Sequence, residues 1–258
     1  LMEKRRGALF DMDRAALEKR MKMYYDPGIT WEQLEALDTG LTEKAAGFAP
    51  KKVRIKVQEA EDYQPERIQR YLLRPFDVRW CYYSEVSPLW NRARPTLWEQ
   101  CWEGNTFFMR RPSGVARPEG VPVYFTPLLG DNDFQRGHAY YFPVRVKTAL
   151  PNNGNAQQSN MLSEGHIPYE RQPRANLSKK ARLYLHHLGI PYPDADAETA
   201  GLIWMHALAI GYTPTYLEEN ADGIRADWPR VPLPDTAERL RASAALGRQI
   251  AALLDTRS

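Results

Sequence analysis

Asparagine and glutamine are concentrated in residues 151–160, which are Pro-Asn-Asn-Gly-Asn-Ala-Gln-Gln-Ser-Asn. This stretch contains no apolar residue larger than alanine, which predicts a loop. A carboxamide side chain presents a donor beside an acceptor, and that pair matches the N6/N7 edge of adenine in the major groove of DNA. The amides that could do this chemistry are Asn152, Asn153, Asn155, Gln157, Gln158 and Asn160.

Lysine and arginine are unevenly distributed around this loop. Residues 134–186 contain eight Lys/Arg and two acidic residues, whereas residues 188–240 contain three arginines and nine acidic residues. Lys and Arg pair with phosphates whatever the base sequence, so the basic part favours a polyanionic partner. An ordinary solvated surface with a polar linker would have the same composition, and that alternative stays open. The candidate cationic contacts are Arg110, Arg111, Arg136, Arg145, Lys147, Arg171, Arg174, Lys179 and Lys180.

Sequence motifs for catalysis are not found. The chain has no glycine-rich nucleotide loop, no His-Glu-x-x-His, no Cys-x-x-Cys and no Gly-x-Ser-x-Gly. Asp131 and Asp133 flank an asparagine, but the next residues do not fit a calcium loop, so a turn is expected. His206 lies in an apolar stretch and is more typical of a core histidine than of a catalyst. The sequence therefore predicts no catalytic residue, no metal site and no cofactor in this chain.

The cysteines and the apolar runs indicate the cellular location of the protein. Cys81 and Cys101 lie in apolar surroundings without metal-ligand spacing, which is typical of reduced thiols. The longest apolar run, residues 201–211, is shorter than the roughly 20 residues of a membrane span. These features predict a cytoplasmic protein with no membrane partner.

The elements that would position these residues occur in the order helices, strands, helices. Helical periodicity and capping residues predict helices in the first fifty residues and again after residue 176. A short helix is also expected from Gln64, with Ile68, Tyr71 and Leu72 along it. Aromatic and β-branched residues predict strands at residues 78–83, 106–110, 121–129 and 140–147. Since there is no regular βαβ alternation, this order indicates an α+β fold.

Several stretches resemble a family of large single-chain restriction–modification enzymes. Residues 71–83 resemble its Tyr-x-x-Arg-Pro-Phe-Asp-x-Arg-x-x-Tyr-Tyr signature. Residues 142–146 are similar to its Phe-Pro-Leu-Tyr strand, and residues 174–178 to its Arg-x-Asn-Leu-Ser. The strongest match is residues 203–216 followed by Asp-Trp-Pro-Arg-Val-Pro-Leu-Pro at residues 227–234. The chain thus resembles the C-terminal specificity domain of Type ISP enzymes.

The resemblance implies a function and a domain organisation. It implies a target-recognition domain for double-stranded DNA, residues 71–258, after a helical spacer, residues 1–70. The recognition domain would have a mixed, mainly antiparallel β core with C-terminal helices packed on it. The spacer would join a methyltransferase domain of the same polypeptide that modifies adenine N6. S-adenosylmethionine would then bind to the full enzyme and not to this chain.

Departures from the full enzyme's pattern also matter. The methyltransferase tetrapeptide Asn-Pro-Pro-Tyr and its glycine-rich S-adenosylmethionine loop do not occur in these residues. The chain is therefore expected not to be an enzyme itself, although it would belong to a site-specific adenine methyltransferase and restriction endonuclease. The recurrent motifs are expected to be architectural, with Asp77–Arg79 or Asp227–Arg230 as ion pairs.

Two other functions stay open. An unfamiliar nuclease or methyltransferase would need a cofactor pocket or a carboxylate cluster, and binding of S-adenosylmethionine would favour it. A protein-docking module would use the helical N-terminal part against a partner, and it would bind the methyltransferase domain but not DNA.

Overall fold

Helices at both ends of the chain flank short antiparallel strands, in the order that the sequence predicts. The structure is a computed structural model that describes residues 5–111, 121–134, 138–147 and 173–255. Its strands are β1 (Phe10–Asp11), β2 (Ile68–Arg74), β3 (Asp77–Tyr82), β4 (Phe107–Arg110), β5 (Val123–Thr126), β6 (Tyr140–Pro143), β7 (Arg145–Val146) and β8 (Arg174–Ala175). Its helices are α1 (Arg14–Tyr25), α2 (Trp31–Glu35), α3 (Pro50–Ala60), α4 (Pro95–Trp98), α5 (Lys179–His187), α6 (Ala197–Gly211), α7 (Pro214–Glu219), α8 (Ala221–Ala226) and α9 (Ala237–Leu254). The predicted α+β class is confirmed.

Helices begin at the capping side chains that the sequence marks. Asp13 accepts from the Ala15 N–H at the start of α1, and Thr30 exchanges hydrogen bonds with Gln33 at the start of α2. A capping oxygen satisfies an N–H group that has no partner in the first turn of a helix. The same role is taken in α5, α6 and α9 by Ser178, Asp196 and Thr236.

The first sheet corrects one predicted element. Its strand order is β1–β3–β2, and neighbouring strands are antiparallel. The helix expected from Gln64 is only a 3-10 turn, Pro65–Arg67, and the chain from Ile68 onward pairs with β3. Tyr71 and Leu72 point to opposite faces of β2, yet both are buried. The sheet is therefore covered on both faces here, which produces an apolar spacing that resembles a helix.

One hydrophobic core joins the N-terminal helices to the strands that follow. It includes Leu17 of α1, Val57 of α3, Tyr82 of β3 and Phe107 of β4. The division into a spacer and a recognition domain stays a prediction, and β2 runs across the expected boundary at residue 70.

Arg54 ties α3 to the C-terminal end of α1. Its Nε donates to the Tyr24 carbonyl at 2.9 Å, and its two terminal nitrogens donate to the carbonyls of Ile29 at 2.9 Å and Asp26 at 2.6 Å. The last carbonyls of a helix carry partial negative charge and have no partner within the helix, so a cation there is favourable. The side chain is buried, and the loss of water lowers the pKa of Arg54.

The second sheet has the order β5–β4–β6 and is also antiparallel. Arg110, at the end of β4, lies between Val123 and Tyr140. At the opposite end of the sheet, Phe107 lies between Thr126 and Pro143. The chain therefore leaves β4 and enters β5 and β6 at the Arg110 end of the sheet, and it enters β4 and leaves β5 and β6 at the Phe107 end.

The C-terminal helices form a second core against this sheet. Leu202 and Leu208 of α6 pack with Leu240 and Ala244 of α9 and with Phe108 of β4. The buried residues of α9, Leu240, Ala244, Gly247 and Ala251, follow each other at helical spacing. None of the described helices has the length and apolar character that crossing a membrane would require.

His206 lies between α9 and the segment before it, with only 2% of its surface exposed. Its Nε2 is 2.7 Å from the Pro232 carbonyl, and its Nδ1 is 2.8 Å from the Ser243 hydroxyl. Because a carbonyl can only accept, Nε2 carries the proton of the neutral ring and Nδ1 accepts from Ser243. Burial lowers the pKa of His206 below its usual value.

We expect this histidine to make the protein less stable in mild acid. As the pH falls below about 6.5, the unfolded chain binds a proton that the folded ring resists, so the free energy of unfolding decreases. The decrease continues until the pH reaches the lowered pKa of the folded state. Thermal unfolding from pH 8 to pH 5 should show this loss, and His206→Gln should flatten the profile relative to the control His186→Gln. An unchanged profile in His206→Gln would contradict the assignment.

Candidate nucleic-acid interface

β7 and β8 form a two-stranded antiparallel ladder that carries two of the candidate cations. Arg145 lies opposite Ala175, and Arg174 lies opposite Val146. Directly opposed residues point to the same face, and successive residues in a strand alternate between faces. Arg145 and Arg174 therefore point to opposite faces of this ladder.

Two buried amide side chains, Gln100 and Asn105, hold the backbone of β7, and we call them the amide clamp. Asn105 donates to the Arg145 carbonyl at 3.1 Å and accepts from the Arg145 N–H at 3.3 Å. Gln100 accepts from the Lys147 N–H at 2.9 Å, and its own carbonyl accepts from Asn105 at 2.8 Å. Buried polar groups are hydrogen-bonded almost without exception, so this arrangement fixes the path of residues 145–147.

The clamp places Arg145 and Lys147 beside an open cleft. Arg145 donates to the Gly104 carbonyl at 3.2 Å, and the Lys147 ammonium lies 5.0 Å from the centroid of the Trp102 ring. Lys147 is exposed, and neither cation forms an ion pair with a described carboxylate. We call this the Trp102 cleft; its volume is about 310 Å³, and its lining includes Gln69, Arg70, Trp102, Glu103, Gly104 and Leu128.

Arg174 precedes two further candidate cations, Lys179 and Lys180, in the first turn of α5. All three side chains are exposed, and this turn contains no acidic residue. The first turn of a helix carries partial positive charge, so lysines there are unfavourable unless an anion is nearby. Asp194, a carboxylate close to Arg174, is already engaged with Arg182. Its hydrogen bonds from Arg182, at 2.9 Å, hold the pKa of Asp194 below its usual value.

Arg110 is buried, and this favours a structural role rather than the predicted contact with DNA. Its guanidinium lies 4.1 Å from the centroid of the Trp228 ring and donates to the Asp227 carbonyl at 2.6 Å. Only 2% of Arg110 is exposed, and the loss of water lowers the pKa of both Arg110 and its neighbour Arg111. Both lie at the opposite end of β4 from the Trp102 cleft.

Residues 227–234, which we call the strap, are held by side chains from four elements. Arg110 of β4 donates to the Asp227 carbonyl, and Tyr216 of α7 donates to the Arg230 carbonyl at 3.1 Å. His206 of α6 and Tyr184 of α5 donate to the carbonyls of Pro232 and Pro234, at 2.7 Å and 2.6 Å. The strap thus connects the second sheet to the C-terminal helices.

The other candidate residues lie outside the described residues. They are Arg136, Asn152, Asn153, Asn155, Gln157, Gln158, Asn160 and Arg171. Their predicted role in DNA contact stays a prediction.

The residues that position Lys147 were not predicted from the sequence. Gln100 and Asn105 are separated from Lys147 by more than forty residues, and their role depends on a contact that local patterns do not contain. One available signal is that both amides lie within an aromatic-rich stretch, residues 98–108. Polar residues in such a stretch become buried, and once buried they need hydrogen-bond partners.

The amino-acid sequence matches one known family along almost its whole length. The family described as the Type ISP C-terminal specificity domain matches residues 2–255. The chain belongs to this family. No curated protein matches the sequence significantly.

Three solved structures share the fold of this specificity domain. The cryo-EM structure of a DrdV–DNA complex matches with a TM-score of 0.61 and 19% identity, over 96% of this chain and 22% of that chain. The ATP-dependent Type ISP restriction-modification enzyme LlaBIII bound to DNA matches with a TM-score of 0.57 and 14% identity, over 96% of this chain and 15% of that chain. A nuclease-deletion mutant of the Type ISP enzyme LlaGI, in complex with a DNA substrate mimic, matches with a TM-score of 0.50 and 13% identity, over 96% and 20%. The specificity domain therefore spans about a fifth of the length of the chains that it matches.

The motifs of this specificity domain have structural roles. Asp77 and Arg79 form the expected ion pair at 2.8 Å. Asp227 and Arg230 are 4.0 Å apart and exposed, so their contribution is small, and the strap is held through its carbonyls instead. Within the described part of the chain, no group of three His, Cys, Asp or Glu residues is arranged to hold a metal ion.

Proposed function

We propose that this specificity domain recognises double-stranded DNA as the target-recognition module of a restriction–modification enzyme. The family assignment supports this role, and the three similar structures are described as complexes with DNA or with a DNA substrate mimic. The observation that carries the proposal is the fixed position of Arg145 and Lys147 beside the Trp102 cleft, without carboxylate partners among the described residues.

Some cations of the C-terminal half are paired with a carboxylate, and others have no partner among the described carboxylates. Arg182, Arg225, Arg239 and Arg248 each form an ion pair with a nearby carboxylate. A paired guanidinium has little to gain from a phosphate, because the phosphate must compete with a partner that is already present. Lys147, Lys179 and Lys180 form no such pair with a described carboxylate, so a phosphate would not have to compete with any of the described carboxylates.

The remaining parts of the enzyme belong to the same proposal. The domain would act together with a methyltransferase domain of the same polypeptide, and S-adenosylmethionine would bind to that domain and not to this chain. Bases would be read by polar side chains that follow the phosphate contacts, because phosphate contacts position a protein on DNA without specifying its sequence.

The experiment measures binding of the chain to a labelled 30-base-pair duplex by fluorescence anisotropy between 50 and 200 mM salt. We expect affinity to fall as salt increases, because cations that bind phosphates release counterions from the DNA. The triple variant Lys147→Gln/Lys179→Gln/Lys180→Gln should bind at least about tenfold more weakly. Its slope of log affinity against log salt should be shallower by roughly 0.9 for each phosphate that the variant no longer binds.

Arg225→Gln and Arg239→Gln are the matched controls, because each removes one positive charge that is already paired. They should bind like the unmodified chain. The proposal fails if the chain does not bind duplex DNA, if binding does not depend on salt, or if each control weakens binding by as much per removed charge as the triple variant does.

A further inference from the structure

Two arginines of the N-terminal part flank the Trp80 ring. The Arg70 guanidinium lies 5.2 Å from the ring centroid, and the Arg14 guanidinium lies 5.5 Å from it. Arg70 is directly opposite Trp80 in the pairing of β2 with β3, and Arg14 is the first residue of α1. A guanidinium that stacks on an aromatic ring keeps its N–H groups available for an anion, and the stack lowers the entropy cost of holding it.

Arg70 also lines the Trp102 cleft, on the side formed by the first sheet. Trp102 and Gly104 line the cleft as well, and they contact Lys147 and Arg145. The cleft is therefore lined by one cation that contacts a tryptophan ring, Arg70 on Trp80. A second such cation, Lys147, contacts the ring of the lining residue Trp102.

The acidic groups near these cations leave Arg70 available. Glu103 lines the cleft and is exposed. Glu18 lies 3.7 Å from Arg14, and half of the Arg14 side chain is exposed. Arg70 forms no ion pair with a described carboxylate. Arg70 and Glu103 are the charged residues of the described lining, and Arg145 and Lys147, which contact Gly104 and Trp102, add positive charge. A polyanion therefore suits the cleft better than a cation does.

We propose that the DNA backbone crosses the Trp102 cleft, and that Arg70, supported by Arg14, binds phosphate there in addition to Lys147. This inference rests on the proposed function. It assigns DNA contact to the part of the chain that the sequence presents only as a helical spacer, and it makes that part a direct contributor to affinity.

The test compares Arg70→Gln, Arg14→Gln and Lys147→Gln in the whole 258-residue chain, by the same anisotropy measurement. We expect Arg70→Gln to bind three- to tenfold more weakly, with a salt slope shallower by roughly 0.9, which corresponds to one phosphate. Because phosphates carry no sequence information, the loss should be equal for target and unrelated duplexes. Arg70→Lys keeps the charge and should keep the slope.

Arg225→Gln serves again as the control for a change in net charge, and thermal unfolding shows whether each variant is folded. If Arg70→Gln does not fold, Arg14→Gln carries the test, since its partly exposed side chain can change without loss of the core. A normal salt slope in both folded variants, together with a shallower slope in Lys147→Gln, would overturn this inference and leave the proposed function intact. Absence of DNA binding by the unmodified chain would overturn both.

Discussion

Replacing Gly247 with alanine is expected to lower the free energy of unfolding by about 3 kcal/mol, because it forces a methyl group into a backbone contact. Gly247 of α9 faces the main chain of α6. A Cβ atom added there would lie 2.6 Å from the Met205 carbonyl carbon, and its oxygen would be closer still. A main-chain group inside a helix cannot rotate aside as a side chain can. The two helices would have to separate, and both contribute to the second core.

Gly201→Ala is the matched control for this change, because Gly201 is also a buried helical glycine. A Cβ atom there would meet Val144 and Met205 at 3.9 and 4.0 Å, which is ordinary van der Waals contact. Alanine forms helices better than glycine by up to about 1 kcal/mol, so this variant should be as stable as the original or slightly more stable. Urea denaturation of both variants measures the difference. Equal stability of the two would show that α6 and α9 are not in backbone contact.

A loss of similar size, again about 3 kcal/mol, is expected for Arg54→Ala, because charge-assisted hydrogen bonds to several buried carbonyls disappear together. The carbonyls of Tyr24, Asp26 and Ile29 all accept from this one guanidinium, which has the planar shape to reach them at once. Arg54→Lys keeps the charge but has one nitrogen, so most of the loss should remain.

Lys52→Ala tests whether the effect comes from position or from charge, since Lys52 lies on the exposed side of the same helix. It should change stability by less than about 0.5 kcal/mol. Denaturant unfolding monitored by circular dichroism would distinguish these outcomes. If Arg54→Ala is as stable as Lys52→Ala, the guanidinium does not hold α3 to α1.

Local chemistry explains which parts of the fold could be predicted. Thr30 and Gln33 cap each other within one turn, and Asp196 caps α6 with its own side chain, so four neighbouring residues are enough to locate these starts. The prediction of a helix from Gln64 was wrong, because the residues from Ile68 onward are buried by pairing with β3 and by packing on both faces of the sheet. No window along the sequence contains that information.

The candidate site shows the same limit. Lys147 and Arg145 could be chosen from composition, but their position depends on Gln100 and Asn105, which are distant in sequence. Arg110 was chosen for its charge, and its burial under Trp228 depends on a residue more than a hundred positions away. The alternation of faces in β7 and β8 then separates Arg174 from Arg145, which a count of charges cannot reveal.

The strap has a consequence for engineering new target preferences. Its four anchors bind main-chain oxygens, and Pro229, Pro232 and Pro234 restrict its backbone before folding. Apart from Trp228, whose ring packs on Arg110, Tyr140 and Phe142, the attachment of the C-terminal helices therefore depends little on which side chains the strap itself carries. Grafting other connections onto the ends of β4, β5 and β6 would leave three anchors untouched, and the fourth would survive as long as Arg110 is retained. The contacts that hold the strap are thus separate from the connections at the ends of β4, β5 and β6, which can be exchanged.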